Sequence, residues 1–160
     1  MKYIPFLIEI LKAADKRDRK NWLKTNYQYG VTDKSVGVIV DGAYIVFVPR
    51  DYFYLDIPKI FRGQAPHNLE RLVFDKEGYT VPAEDTGVTK TVVDDNKVRI
   101  FETKKSEIWI DEKILKYFEL DKSTFRGSDH KSPLYIYEES NLGKMLVGMV
   151  LSVNPNLVDK

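Results

Sequence analysis

The sequence predicts an α+β fold in which two amphipathic helices pack on a mainly antiparallel sheet, and three observations carry that prediction. Apolar residues recur at three- and four-residue spacing in two stretches, around Ile4 and around Ile114. Short runs rich in β-branched and aromatic residues, closed by Asp-Gly, Pro and Asn-Leu-Gly turns, fill most of the remaining chain. The composition, 43% apolar, 31% charged and 12% aromatic, is that of a chain with enough apolar surface to offset its ordering entropy. At 160 residues the expectation is a single domain spanning 1–160.

Ile4, Leu7, Ile8, Leu11 and Ala14 line one face of the first helix, which Trp22 and Leu23 extend to about Lys24. From Tyr27 the period shortens. Residues 35–40 and 43–48 flank Asp41-Gly42, a dipeptide that tolerates positive φ, and predict a β-hairpin ended by Pro49. Asp56-Ile57-Pro58 opens a short turn or helical segment through Phe61, and 63–67 is a loop. Residues 71–74 read as a strand before Lys76-Glu77-Gly78, and 80–95 as one or two strands joined irregularly. Residues 97–103 alternate as a strand. Asp111 is a helix N-cap with Glu112 in the first turn, and Ile114, Leu115 and Phe118 give the second helix its buried face as far as Leu120. Strands follow at 124–125, 133–137 and 144–153, the last ended by Pro155. The order suggests two halves of similar form.

Lys plus Arg number 25 against 24 Asp plus Glu, so no global field draws the chain to nucleic acid or an anionic membrane. An electrostatic partner must read a local patch. With no cysteine there is no disulfide, thiolate ligand or cysteine nucleophile, and two histidines argue against a multi-histidine metal site. No cofactor is expected. Pro5 and Glu9 interrupt the apolar N-terminal run, so it does not read as a signal sequence, and no run approaches the roughly 20 residues of a membrane span. The expected compartment is the cytoplasm.

The densest cationic stretch holds Lys12, Lys16, Arg17, Arg19, Lys20 and Lys24 against Asp15 and Asp18, a pattern that contacts phosphates without reading sequence and that also suits a solvated helix end. The acidic pairs Glu84-Asp85, Asp94-Asp95 and Glu138-Glu139 read as solvated turns and strand faces. Converging on one another, they would serve a cation or acid–base chemistry. His130 beside Asp129, Ser128 and Ser132 offers the parts of a hydrolytic triad without the Gly-x-Ser-x-Gly elbow. Tyr27, Tyr29, Tyr44, Tyr52, Tyr54, Tyr135 and Tyr137 suit either a half-wet sheet or a stacking surface for bases. No Gly-x-x-x-x-Gly-Lys or Gly-x-Gly-x-x-Gly motif supports nucleotide binding.

A helix over 110–120, then Ser132-Pro133-Leu134-Tyr135-Ile136 entering a strand, then Met145-Leu146-Val147-Gly148-Met149-Val150 as a closing strand, resembles the C-terminal module of bacterial DNA polymerase sliding clamps. Modules of that family pair two helix-plus-strand halves, with helices toward the DNA channel and sheets outward. The first helix and hairpin look like the other half. The resemblance implies double-stranded DNA contact along residues 12–24, or a replication protein as partner. One module per chain implies a homo-oligomer or a role other than encircling DNA. A small clamp-like domain rich in Lys, Tyr and Asp is a type met in phages and mobile elements of low-GC bacteria. The leading expectation is therefore a non-enzymatic clamp-like module in DNA replication or its control. The alternatives are a protein-interaction or inhibitor domain of a phage or mobile element that does not bind nucleic acid, and, third, a hydrolytic enzyme built on His130.

Overall fold

The computed structural model describes residues 1–20, 26–70, 81–141 and 143–154, with the backbone alone for 17–20. The chain, expected as one domain, forms two compact units, Met1–Val73 and Phe74–Lys160. Strand outweighs helix, so the class is α+β.

The first unit opens with α1, Tyr3–Lys20. Pro5 lies in its first turn, where the missing N–H costs no intrahelical hydrogen bond. Phe6, Leu7, Ile10 and Ala14 are buried, each large side chain contributing about 1.5–3 kcal/mol by leaving water. This corrects the expected face: Leu7 and Ala14 are on it, but Ile4, Ile8 and Leu11 are exposed. Eight apolar residues from Ile4 to Ala14, Pro5 aside, support two stripes at helical spacing, and the one containing Phe6 and Ile10 won.

Three antiparallel strands follow: β1 Tyr27–Val31, β2 Ser35–Val40 and β3 Tyr44–Pro49. The β2–β3 hairpin is the expected one. Asp41 and Gly42 take φ of 51° and 67°, and Ala43 donates back to the Val40 carbonyl. Thr32 organises the β1–β2 turn by accepting from the Ser35 amide, and Arg50 clamps the same turn by donating to the Thr32 carbonyl. Gly30 and Gly37 face each other across β1 and β2. A Cβ on either would come within 2.5 Å of the Leu69 side chain, so the glycine pair forms the slot that holds it. The outer edge of β1 is covered by His67, whose amide donates to the Tyr29 carbonyl. Ile57–Ile60 is a single helical turn capped by the Asp56 carboxylate, as expected from Asp-Ile-Pro.

The second unit is antiparallel throughout its described strands. They are β4 Pro82–Thr91, β5 Lys97–Glu102, β6 Glu107–Asp111, β7 Ser123–Arg126, β8 Leu134–Ser140 and β9 Gly143–Val150, in the spatial order β9-β8-β7-β4-β5-β6. Of the weakly patterned stretch 80–95, the described part forms one long, largely exposed strand, Pro82–Thr91, and a 3-10 turn at Val93–Asp95. Its register with β5 jumps between Asp85 and Thr89, a bulge with Gly87 at φ 71°. Asp85 pins this bulge by accepting from both the Gly87 amide and Arg99 Nε. A second irregularity between Ile136 and Tyr137 leaves Val147 as the extra residue of β9.

The expected second helix is a single turn, Glu112–Leu115, capped by Asp111 as predicted. Tyr117 is buried together with Leu115 and Phe118. A continuing helix would swing Tyr117 about 200° from Leu115 and out of the core, so the chain leaves the helix instead. Phe118 then lies against Gly148, where a Cβ would meet its ring at 2.4 Å. Among the described residues the two units therefore differ in form, where element order suggested similar halves. The expected strand at 71–74 and the extension through Trp22 and Leu23 lie outside the described residues, while the closing strand, expected over 144–153, already ends at Val150, ahead of Pro155.

Candidate functional site

At about 100° per residue, α1 divides into three sectors. Phe6, Ile10 and Ala14 face the core; Ile4, Ile8 and Leu11 form a second stripe; Lys12 and Lys16, with Glu9 between them and the core face, occupy the third. Ile4, Ile8 and Leu11 are 69%, 45% and 50% exposed, a stripe rather than scattered apolar positions. The stripe runs into a cleft of about 390 Å³ lined by Leu11, Lys12, Ala14, Asp15, Lys59 and Ile60. At the other end of α1, Tyr3 stacks on the exposed Tyr52 with ring centroids 6.0 Å apart.

Of the cationic residues singled out in the sequence, Lys12 and Lys16 are exposed on the outward half of α1. Arg17, Arg19 and Lys20 belong to the last turns of the helix, their side chains outside the described part, and Lys24 lies outside the described residues. Exposed Glu9 acts by its charge on Tyr27 and Tyr44. Burial first, then the Glu9 and Asp41 carboxylates, pushes the Tyr27 hydroxyl up to about 12, and Tyr44 is raised by burial, by Tyr27 and by the same two acids. Both tyrosines therefore stay neutral across the physiological range.

The other tyrosines divide by burial. Tyr135 and Tyr137 are core residues, and Tyr29 stacks on Phe61 at 4.6 Å. Of the seven, Tyr52 and Tyr54 are the exposed ones.

The Ser-Asp-His cluster is a folded loop. Ser132 Oγ donates to the Asp129 carbonyl at 3.0 Å and accepts from the Ser128 amide at 2.9 Å and the Asp129 amide at 3.1 Å. The Asp129 carboxylate accepts from the Lys131 and Ser132 amides. His130 is exposed, and its carbonyl accepts from Ser152 Oγ. The hydroxyl and carboxylate are thus bound to loop backbone and not to the imidazole. Nor do the acidic pairs converge: Asp85 holds Arg99 at 2.8 Å, Glu139 lies 4.0 Å from Lys144, and Asp94 and Asp95 are exposed. Among the described residues no group of three or more His, Asp or Glu is placed to hold a metal ion, and no helix is long and apolar enough to cross a membrane.

Two features escaped the sequence reading. β4 and β7 pair only at Pro82–Arg126 and Ala83–Phe125, and part into a cleft of about 410 Å³ that includes Glu84, Asp85, Ser123, Thr124 and Lys144. Across β4, β5 and β6, Lys90 Nζ sits 4.7 Å from the Trp109 ring centroid while Trp109 Nε1 donates to Glu107 at 2.8 Å. Neither contact leaves a periodic trace, because strand register decides both. A search of protein-family models, of characterised proteins and of solved structures finds no match to this chain.

Proposed function

We propose that this chain is a non-enzymatic, clamp-like binding module that acts in DNA replication or its control, with the outward half of α1 as its contact element and double-stranded DNA or a replication protein as its partner. The observation that carries it is the exposure of Lys12 and Lys16 on one sector of an 18-residue helix, the helix to which the clamp resemblance assigns DNA contact. The setting in replication rests on that resemblance alone. Cations on a helix neutralise phosphates without reading bases, so affinity should fall steeply with salt.

The test is fluorescence anisotropy of a labelled duplex across a salt series, with wild type and a Lys12→Glu/Lys16→Glu variant. Salt-sensitive binding that the double variant loses supports DNA contact. A wild type indifferent to DNA at low salt sinks it. The exposure of Ile4, Ile8 and Leu11 favours a second reading, a protein-interaction or inhibitor domain that never touches nucleic acid, since phosphates gain nothing from aliphatic side chains.

A further inference from the structure

We infer that the Ile4–Ile8–Leu11 stripe of α1, with the cleft at its end, is a docking shelf for an acidic amphipathic helix of a partner protein, which sets one large apolar side chain into the cleft. The inference rests on the reading of α1 as the contact element and names what that element holds.

Three observations lead to it. The stripe spans two turns of helix at four- and three-residue spacing, the complement of one face of another helix. Its end opens into the cleft where Leu11, Ala14 and Ile60 supply apolar walls, room for a single anchoring side chain of the kind that dominates interface energetics. The charge at that end leans one way: Lys12 and Lys59 line the cleft against Asp15, two cations to one anion, and exposed Lys16 follows one helical turn beyond Lys12. An incoming helix with carboxylates flanking its apolar face meets complementary potential there, and one with lysines meets repulsion.

The probe is a synthetic helical peptide with leucines at three- and four-residue spacing flanked by glutamates, beside a twin in which every glutamate is lysine. Binding is read by anisotropy, and amide chemical-shift changes locate it. The acidic peptide should bind at least about tenfold more tightly than its twin, with shifts confined to α1 and residues 57–60. Ile8→Asp and Leu11→Asp should each weaken it about tenfold or more, and Lys12→Glu/Lys59→Glu should erase the preference between the peptides. These side chains are exposed, so unchanged helix content by circular dichroism verifies folding.

Equal binding of both peptides, or shifts elsewhere, overturns the inference. So does a dimer in light scattering that Ile8→Asp dissociates, which would give the stripe to a second copy of the chain. If both peptides fail while duplex binding still responds to Lys12→Glu/Lys16→Glu, α1 remains the contact element and the shelf falls alone. Failure of every ligand to respond to any α1 variant removes both.

Discussion

The two units use the same packing device to different ends. In Met1–Val73 the glycine pair Gly30 and Gly37 admits Leu69; in Phe74–Lys160 Gly148 admits the Phe118 ring and Gly127 lies against Ile108. Both sheets thus bring a large side chain onto bare backbone, which a pleated surface permits only where Cβ is missing. They differ in what lies outside. The first unit carries an 18-residue helix with more apolar residues than its buried face can use, while the described α-helix of the second, Glu112–Leu115, is a single turn that buries Leu115. Under the proposed function the surplus apolar surface of the first unit is for contact and the second unit is a scaffold, with Val88, Val93 and Leu151 as its exposed large apolar residues.

The largest expected effect tests the scaffold. Phe118→Ala removes a buried ring from its glycine seat and should cost the second unit about 4 kcal/mol. Urea unfolding followed by Trp109 emission in a Trp22→Phe background measures it. Retention of the far-ultraviolet helix signal past the Trp109 transition would sharpen the division between the units, and simultaneous loss would break it.

Next, Leu69→Ala should cost about 3 kcal/mol, and Gly37→Ala about 2 kcal/mol by overpacking. In the Leu69→Ala background the added cost of Gly37→Ala should largely vanish, because Leu69 is its closest obstacle at 2.5 Å. Gly30→Ala should stay costly there, since its Cβ also meets the His67 carbonyl oxygen at 2.5 Å. A double-mutant cycle separates the two.

Smaller again is Arg99→Ala, which leaves Asp85 partly buried without its guanidinium and should cost about 1.5 kcal/mol. Asp85→Asn/Arg99→Ala should recover part of it in the same urea experiment. The mildest effect is alkaline. The folded Tyr27 hydroxyl titrates at about 12 instead of 10.0. Between those values the unfolded chain has lost this proton and the folded chain keeps it, so stability falls as pH rises through that window. Tyr27→Phe should flatten the decline in a pH series of thermal melts, and an unchanged slope would count against the burial assigned to this group.

How much of this was legible in the sequence depends on whether local chemistry or long-range register decides. The Asp41-Gly42 hairpin, the Asp56 and Asp111 caps and the strands at 97–102, 134–140 and 143–150 follow from turn residues and alternation that act within a few positions. The working face of α1 did not, since spacing alone cannot choose between two apolar stripes. The excess itself was a usable signal: a helix with eight apolar residues in eleven positions leaves some outside. The second helix failed because burial of Tyr117 overrode good local propensity. Of the cationic stretch, Lys12 and Lys16 are the members whose exposed side chains the structure describes.

The slot for Leu69 also has a kinetic meaning. β1, β2 and β3 are complete once residue 49 has been synthesised, yet the glycine pair they align stays bare until Leu69 arrives. A nascent chain halted between those points would display a three-stranded sheet with an open apolar notch and an uncovered β1 edge, the features by which sheets recruit one another. Translation through this stretch is thus an interval in which the young sheet is open to misassembly, and the arrival of residues 67–69 fills the notch and covers the β1 edge.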